Sequence, residues 1–237
     1  MRNGAPRTAA AAAIVAALLA LPSRARAADA DLGEPGQLVI GVARLIPVVA
    51  VNSWSVQTSA PNDAPSGTQL SFGNHPSGLS VYDLPRLGLD WVAAGHLTLG
   101  VDFAAYATLG GTPAVGDSPF VSLVGVAPHV GYVAPLVGVF GVWLRAGVAY
   151  YVLGERGVDG TAASPVPWSF TWRQLDANVD AYLVITAFAH TAITAGVVAE
   201  VPVSGWLEER RTGGAPGVDA AAAWTHVGVA GGILTYL

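Results

Sequence analysis

The chain has 237 residues and a formal net charge of −5, with 52% hydrophobic but only 11% charged residues. That charged fraction is less than half the ~25% of a typical soluble domain, and the absence of Lys makes a monomeric soluble surface harder still to maintain. With no Cys, disulfide frameworks, thiolate metal sites and cysteine nucleophiles are excluded together, and without a basic stripe nucleic acid is excluded as a partner.

Arg2 and Arg7 flank a short positive region, Thr8 to Leu21 is apolar, and Ala25-Arg26-Ala27 is a small-x-small cleavage pattern. The apolar stretch falls short of the ~20 residues a spanning helix needs. Residues 1–27 are therefore expected to be a secretory signal peptide, 28–36 a short periplasmic leader, and 37–237 the folded body. Export without disulfides suits a bacterial envelope protein.

Beyond the leader, apolar or alternating stretches recur at 37–52, 79–92, 97–109, 120–133, 137–153, 169–187, 190–204 and 222–237. The first is the weakest, because Arg44 shares its face with Ile40, Val42 and Ile46. In the third, Leu97, Leu99, Val101 and Phe103 oppose Thr98, Gly100 and Asp102. The fifth sets Leu144, Ala146 and Val148 against Trp143, Arg145 and Gly147. The sixth is the clearest: Trp172, Gln174, Asp176, Asn178, Asp180 and Tyr182 alternate with Leu175, Ala177, Val179, Ala181 and Leu183. A period of two over that length means a strand whose faces meet different solvents. In the seventh, Glu200 opposes Val197, Val201 and Val203.

Connections alternate strictly between long and short. Ser53–Gly78, Gly110–Pro119, Gly154–Trp168 and Gly205–Ala221 are long and rich in turn formers; those at 93–96, 134–136 and 188–189 are tight. An up-and-down barrel with loops at one rim and turns at the other produces that rhythm. The expected fold is all-β: a membrane-spanning antiparallel up-and-down β-barrel of about eight strands, each long enough for the ~9–11 residues a tilted crossing takes.

Which face is wet decides between membrane and water. A soluble lipocalin-like carrier would put the aliphatic face inside and a Lys- and Glu-rich face outside. Here the polar face consists of Gly, Tyr, Trp, Arg and Asp, which suits a narrow interior. Aromatics on the apolar face stand near strand ends: Trp91, Tyr132 and Phe140 by the tight turns, Phe120 and Tyr150 toward the long loops. Amphipathic rings form such belts at membrane interfaces. A helical bundle is disfavoured because Pro128, Pro135 and five Gly interrupt the most apolar stretch, 121–152.

The segment Val126-Ala127-Pro128-His129-Val130-Gly131-Tyr132, followed by Trp143-Leu144-Arg145-Ala146-Gly147, resembles a Pro-x-x-Gly-Tyr then Trp-x-Arg-x-Gly pattern of small bacterial outer-membrane barrels of the OmpA/OmpX type. The resemblance covers essentially all of 37–237 and implies an architecture and an outer-membrane location. The C-terminus departs from that family, whose insertion signal usually ends in Phe or Trp; here Leu237 is last, after Tyr236.

The expected inward charges are Arg44, Arg86, Arg145, Asp90, Asp102, Asp176, Asp180 and Glu200, with His129 and His226. Counting from the tight turn near Phe188, and across the long loop to Arg145, gathers Arg145, Asp176, Asp180 and Glu200 into one lumenal cluster, and the turn at Ala94 sets Asp102 diagonal to Arg86. The cluster is expected to be structural, since buried charges are tolerated only when paired. No catalytic, cofactor-binding or metal-binding residues are assigned. His75-Pro76-Ser77 is the one place that joins His and Ser locally, and no nucleophile elbow or phosphate loop appears.

The expected role is structural or loop-mediated binding, with outer-membrane lipid, lipopolysaccharide and the insertion machinery as partners and no extracellular ligand identified. A narrow channel or gated transporter and a lipid-A-modifying enzyme stay open as alternatives. Arg173, on the lipid face, is placed near the loop-side headgroups. The long loops are the default functional surface, including the mixed Glu208-Glu209-Arg210-Arg211 run.

Overall fold

The computed structural model describes residues 32–57, 65–72, 81–82, 84–108, 113–161, 163–212 and 218–237. The expected signal peptide, the start of the leader and the His75-Pro76-Ser77 motif lie outside the described residues. The strands are β1 (Leu38–Gln57), β2 (Ser66–Phe72), β3 (Arg86–Ala94), β4 (Leu97–Ala107), β5 (Phe120–Pro135), β6 (Phe140–Thr161), β7 (Ser164–Phe188), β8 (Thr191–Arg211) and β9 (Val218–Tyr236). All pair antiparallel, and β9 returns to pair with β1 along most of its length. Eight strands therefore close a ring, and β2 lies outside that count, paired with the upper half of β1 from Val49 to Ser55.

The aliphatic face is on the outside. Phe103, Leu144, Val179, Ile193, Val197 and Val201 are exposed, and so are Trp91, Tyr132, Phe140 and Tyr150 of the expected belts; Phe120 is half-buried. Every second residue of β7 from Trp172 to Tyr182 is buried, so its polar set faces the lumen. Turning hydrocarbon outward and charge inward inverts the arrangement of a soluble barrel, and it is stable only with hydrocarbon around it.

The tight turns follow from backbone chemistry. Gly95 and His96 both have positive φ (52° and 68°), as a two-residue turn between twisted strands requires. His190 repeats the device at 64° between β7 and β8. Both imidazoles pack edge-on against a tyrosine, Tyr132 and Tyr236 respectively. At this same end Gly33 and Glu34 donate their amides to the Gln37 side chain, and Leu32 is buried with Val39, Val92, Val133 and Tyr236.

Four sequence expectations need correction. The stretch 154–168 is not a loop: β6 and β7 continue as a hairpin to the pair Thr161–Ser164, and β8 and β9 likewise pair beyond Trp206. Gly and Pro suggest breaks there, but Pro165 and Pro167 lie near a hairpin tip, where a missing amide donor is tolerated. The expected loop 53–78 likewise contains β2. The strand expected at 79–92 starts only at Arg86, because Pro85 lacks an N–H and restricts Leu84. Val81 and Tyr82 instead sit in the lumen, fully buried among Ala104, Leu123, Tyr151 and Trp172.

Candidate functional site

The lumen is filled in three layers. Nearest the tight turns lies an apolar layer of Val39, Val92, Val133, Trp143, Tyr182, Leu234 and Tyr236. Toward the loops lies an aromatic layer, with Tyr82, Tyr151 and Trp172 among Leu123, Leu153 and Leu207. Charged groups occupy the space between them, and all are buried.

β1 brings Arg44 to this layer by an irregularity. Val42 pairs with Ile233 and Ile46 with Gly231, so β1 holds two more residues than its partner over that span. Arg44 sits in this bulge with φ +56°, a conformation that costs a non-glycine residue energy. The bulge re-aims the side chain from the apolar face, where simple alternation puts it, to the lumen. There Arg44 Nη2 donates to Glu200 Oε1 at 2.9 Å, lies 3.6 Å from Asp180, and Nη1 donates to the Tyr82 carbonyl at 3.4 Å.

Glu200 is the centre of one subcluster. It receives Arg44 and Arg86, the latter at 2.6 Å, and the Tyr151 hydroxyl at 2.9 Å. Arg86 also contacts that hydroxyl and lies over the Tyr151 ring. Arg145 is the centre of the other. It donates to Asp180 at 2.8 Å and to Asp102 at 3.1 and 3.3 Å, and its guanidinium lies 5.1 Å from the ring centroids of both Trp143 and Tyr182. Planar charge between two π faces is a favourable cation–π arrangement in a desolvated site.

These contacts cross the lumen. Arg86–Glu200 joins β3 to β8, Arg44–Asp180 joins β1 to β7, and Arg145–Asp102 joins β6 to β4. None of these strand pairs is adjacent in the ring. Narrowness makes this reach possible: a Cβ on Gly100 would come 2.1 Å from Asp90 Oδ1 and 2.7 Å from His129 Nε2. A cavity of about 20 Å³, the scale of a single water, remains beside Asp90, Asp102, Arg145 and Tyr182.

Of the expected cluster, Arg145 and Asp180 meet directly, and Glu200 joins them through Arg44. Asp176 makes none of these ion pairs; it is held by the Gln174 amide and by the Tyr82 hydroxyl at 3.4 Å. Asp102 is in the anticipated register, opposite Gly88 and thus diagonal to Arg86, but it binds Arg145 while Arg86 takes Glu200. His226 stacks on Tyr82 with 4.7 Å between centroids and bonds Asn52 at 2.6 Å.

Sequence reasoning misses two arrangements. One is the latch on Tyr82, whose hydroxyl donates to the Trp224 carbonyl at 2.8 Å and accepts from Gln174 at 2.7 Å; hydrophobic pattern alone assigns its segment to a strand. The other is Asp90, Asp102 and His129, whose donor atoms lie within 4.8 Å of one another. They come from three strands, so no local spacing betrays them. Arg145 already occupies the cation's role there, bonding Asp102 and lying within 4.0 Å of Asp90 and 3.5 Å of His129. His129 bonds Asp90 at 2.8 Å and the Ala127 carbonyl, and no serine or threonine hydroxyl contacts it among the described residues.

No protein-family model matches the chain, and no curated protein matches it in sequence. Solved structures do. The solid-state NMR structure of the outer membrane protein AlkL in DMPC bilayers aligns with 91% of this chain and 98% of its own at 11% identity and a TM-score of 0.50. A major outer membrane protein of Thermus thermophilus aligns with 84% of this chain and 99% of its own (13% identity, TM-score 0.44). The outer membrane protease OmpT of Escherichia coli aligns with 86% and 97% respectively (6% identity, TM-score 0.43). With its closed antiparallel ring of eight strands, the chain has the fold of the small bacterial outer-membrane β-barrels.

Proposed function

We propose that the protein is an integral outer-membrane barrel that does not conduct, with a structural lumen and a binding role carried by the strand walls and loops above the membrane. One observation supports this most: ion pairs tie non-neighbouring strands across the lumen, and the Tyr82 segment is latched into the layer above them. A permeant solute would have to displace Arg44, Arg86 and Arg145 from buried carboxylates, each a separation of charge without water to receive it. An eight-stranded interior is in any case just wide enough for its own side chains. The outward hydrocarbon supports insertion into a lipid bilayer, which makes lipid and the insertion machinery its first partners.

The test is planar-bilayer recording of the refolded protein, with Tyr82→Ala and Arg145→Ala alongside. The wild type is expected to stay silent. Stable unitary steps from the wild type would replace this reading with a channel. Location is tested by fractionation with a gel shift on boiling; recovery in the soluble periplasm without a shift would overturn the barrel's placement in a membrane. A changed lipid A mass profile on expression would bring the enzyme reading forward.

A further inference from the structure

On the outer wall the extended strands carry a second pattern that the lumen does not use. Directly paired residues share a face of a sheet, and Phe120, Arg156, Ser169 and Arg210 pair in one continuous row across β5, β6, β7 and β8. Val124, Val152, Arg173 and Trp206 form a parallel row closer to the barrel's middle. Both rows face outward, since the intervening residues Leu153, Trp172 and Leu207 are buried. Below the second row this face is hydrocarbon: Tyr150, Val179 and Val201 are all exposed.

Arg156 and Arg173 are exposed, and neither has an ion-pair partner among the described residues, whereas Arg210 pairs with Glu208. Arg156 and Arg210 flank Ser169 from the strands on either side, about 10 Å apart at ordinary strand spacing. A groove runs along this row, lined by Pro113, Phe120, Arg156, Ser169 and Arg210 among others, with a volume of 520 Å³. Arg173 lies four residues nearer the hydrocarbon, roughly 14 Å along the strand, or about 10 Å in height for a strand tilted near 45°. Trp206 is its cross-strand neighbour, the pairing of cation and indole typical of a membrane interface.

We infer that this wall binds an anionic lipid of the surrounding leaflet whose phosphates stand at two heights on an extended headgroup, the lower at Arg173 and the upper between Arg156 and Arg210. The inference rests on the barrel being inserted in a membrane. Arg156 and Arg173, unpaired among the described residues, and Arg210, paired with Glu208, stand above a hydrocarbon belt and face headgroups. The anion available at that depth is lipid phosphate, which guanidinium binds by charge-assisted hydrogen bonds. A phospholipid headgroup with one phosphate spans too little height to reach both rows.

Native mass spectrometry of the refolded barrel tests this, after the boiling gel shift has verified folding and insertion of each variant. Bisphosphorylated lipid A is titrated against its dephosphorylated form and phosphatidylglycerol. The expected result is at least tenfold tighter binding of the bisphosphorylated lipid. Arg156→Gln with Arg210→Gln, and separately Arg173→Gln, should each remove most of that preference. Arg156→Lys with Arg210→Lys should keep binding within about threefold, because a phosphate accepts a point charge. Inorganic phosphate at about 100 mM, enough to compete for a bare charge site, should not displace the lipid. Equal binding of the three lipids, an unchanged Gln double variant, loss in the Lys variant equal to that in the Gln variant, or displacement by free phosphate would each overturn the inference. Loss of the gel shift in the wild type would instead sink the membrane reading beneath it.

Discussion

The barrel carries two sets of arginine–carboxylate pairs with the same chemistry in opposite surroundings. In the lumen, Arg44, Arg86 and Arg145 and their partners are at most 4% exposed. At the rim, the side chains of Arg210 and Glu208 and of Arg211 with Glu209 and Asp159 are between 26% and 70% exposed. Rim partners can exchange each other for water at little cost, so such pairs contribute about 0–1 kcal/mol. Lumenal partners cannot, because whichever group loses its mate stays buried and charged. Proximity of charges therefore says little here; what differs is whether water can replace a lost partner.

The sharpest way to break the comparison is Arg145→Ala. It strips Asp102 and Asp180 of their principal cation and empties the space between Trp143 and Tyr182. The expected loss is about 3–5 kcal/mol, read as a lower urea midpoint for the heat-modifiable band in liposomes. Replacing Arg145, Asp102 and Asp180 together by Met, Leu and Leu should recover most of that loss, since an apolar set of similar volume leaves no charge stranded. If the triple variant is no better than the single one, the network stabilises through something other than mutual pairing.

Glu200→Gln comes next. The amide keeps the shape and one acceptor but leaves Arg44 and Arg86 facing each other without an anion at 2.9 and 2.6 Å. A loss of about 2–4 kcal/mol is expected by the same reasoning, and a midpoint within about 0.5 kcal/mol of wild type, on the scale of a surface change, would show that Asp180 suffices for Arg44. Gly100→Ala tests how tightly the layer is packed. Its new methyl meets Asp90 and His129, so overpacking should cost about 1–3 kcal/mol. An unchanged midpoint would mean that the Asp90–His129 pair can move aside.

Much of this was legible in the sequence because alternation reports a two-faced environment whatever that environment is. All six residues of β7 from Trp172 to Tyr182 that alternation assigns to one face are buried, and counting from the turn after β7 puts Glu200 opposite about residue 177, one residue from its observed partner Asn178. Contacts across the lumen were not legible. Counting from turns locates neighbours along the wall, so it puts Asp102 near Arg86 and Arg145 near Asp180. Only the second pair forms, while Asp102 binds Arg145 and Arg86 binds Glu200, each between strands that never touch as strands. Arg44 shows a second limit: its charge predicts that it points inward, as it does, but alternation sets it with Ile40, Val42 and Ile46, and nothing in the sequence announces the bulge and positive φ that reconcile the two. The rim hairpins show a third, since outside the membrane no hydrocarbon enforces alternation and Gly and Pro then look like breaks.

The aromatic layer belongs between the two extremes. Tyr82→Phe removes only the hydroxyl that joins Gln174 and the Trp224 carbonyl, leaving the ring stacked on His226. About 1–2 kcal/mol should be lost with the hydroxyl's buried bonds, since the Trp224 carbonyl keeps the Gln174 amide as a donor, with conductance still absent because the ring remains in place. Current appearing in this variant would mean that the latch, rather than the ring's bulk, closes the upper lumen.

The rim pairs should give the smallest effect, and they are the control on which the comparison turns. Arg210→Ala and Glu208→Ala, singly and together, form a double-mutant cycle whose coupling should not exceed about 0.5 kcal/mol and should vanish at high salt. The same cycle on Arg145 and Asp180 should give a coupling several times larger and nearly independent of salt, because counter-ions do not reach the layer between the apolar and aromatic plugs. If the two couplings fade together as salt rises, ions reach the lumenal charges and the interior is hydrated after all. The barrel would then need to be reconsidered as a narrow pathway, and the silent bilayer recording would have to be explained by the Tyr82 latch alone.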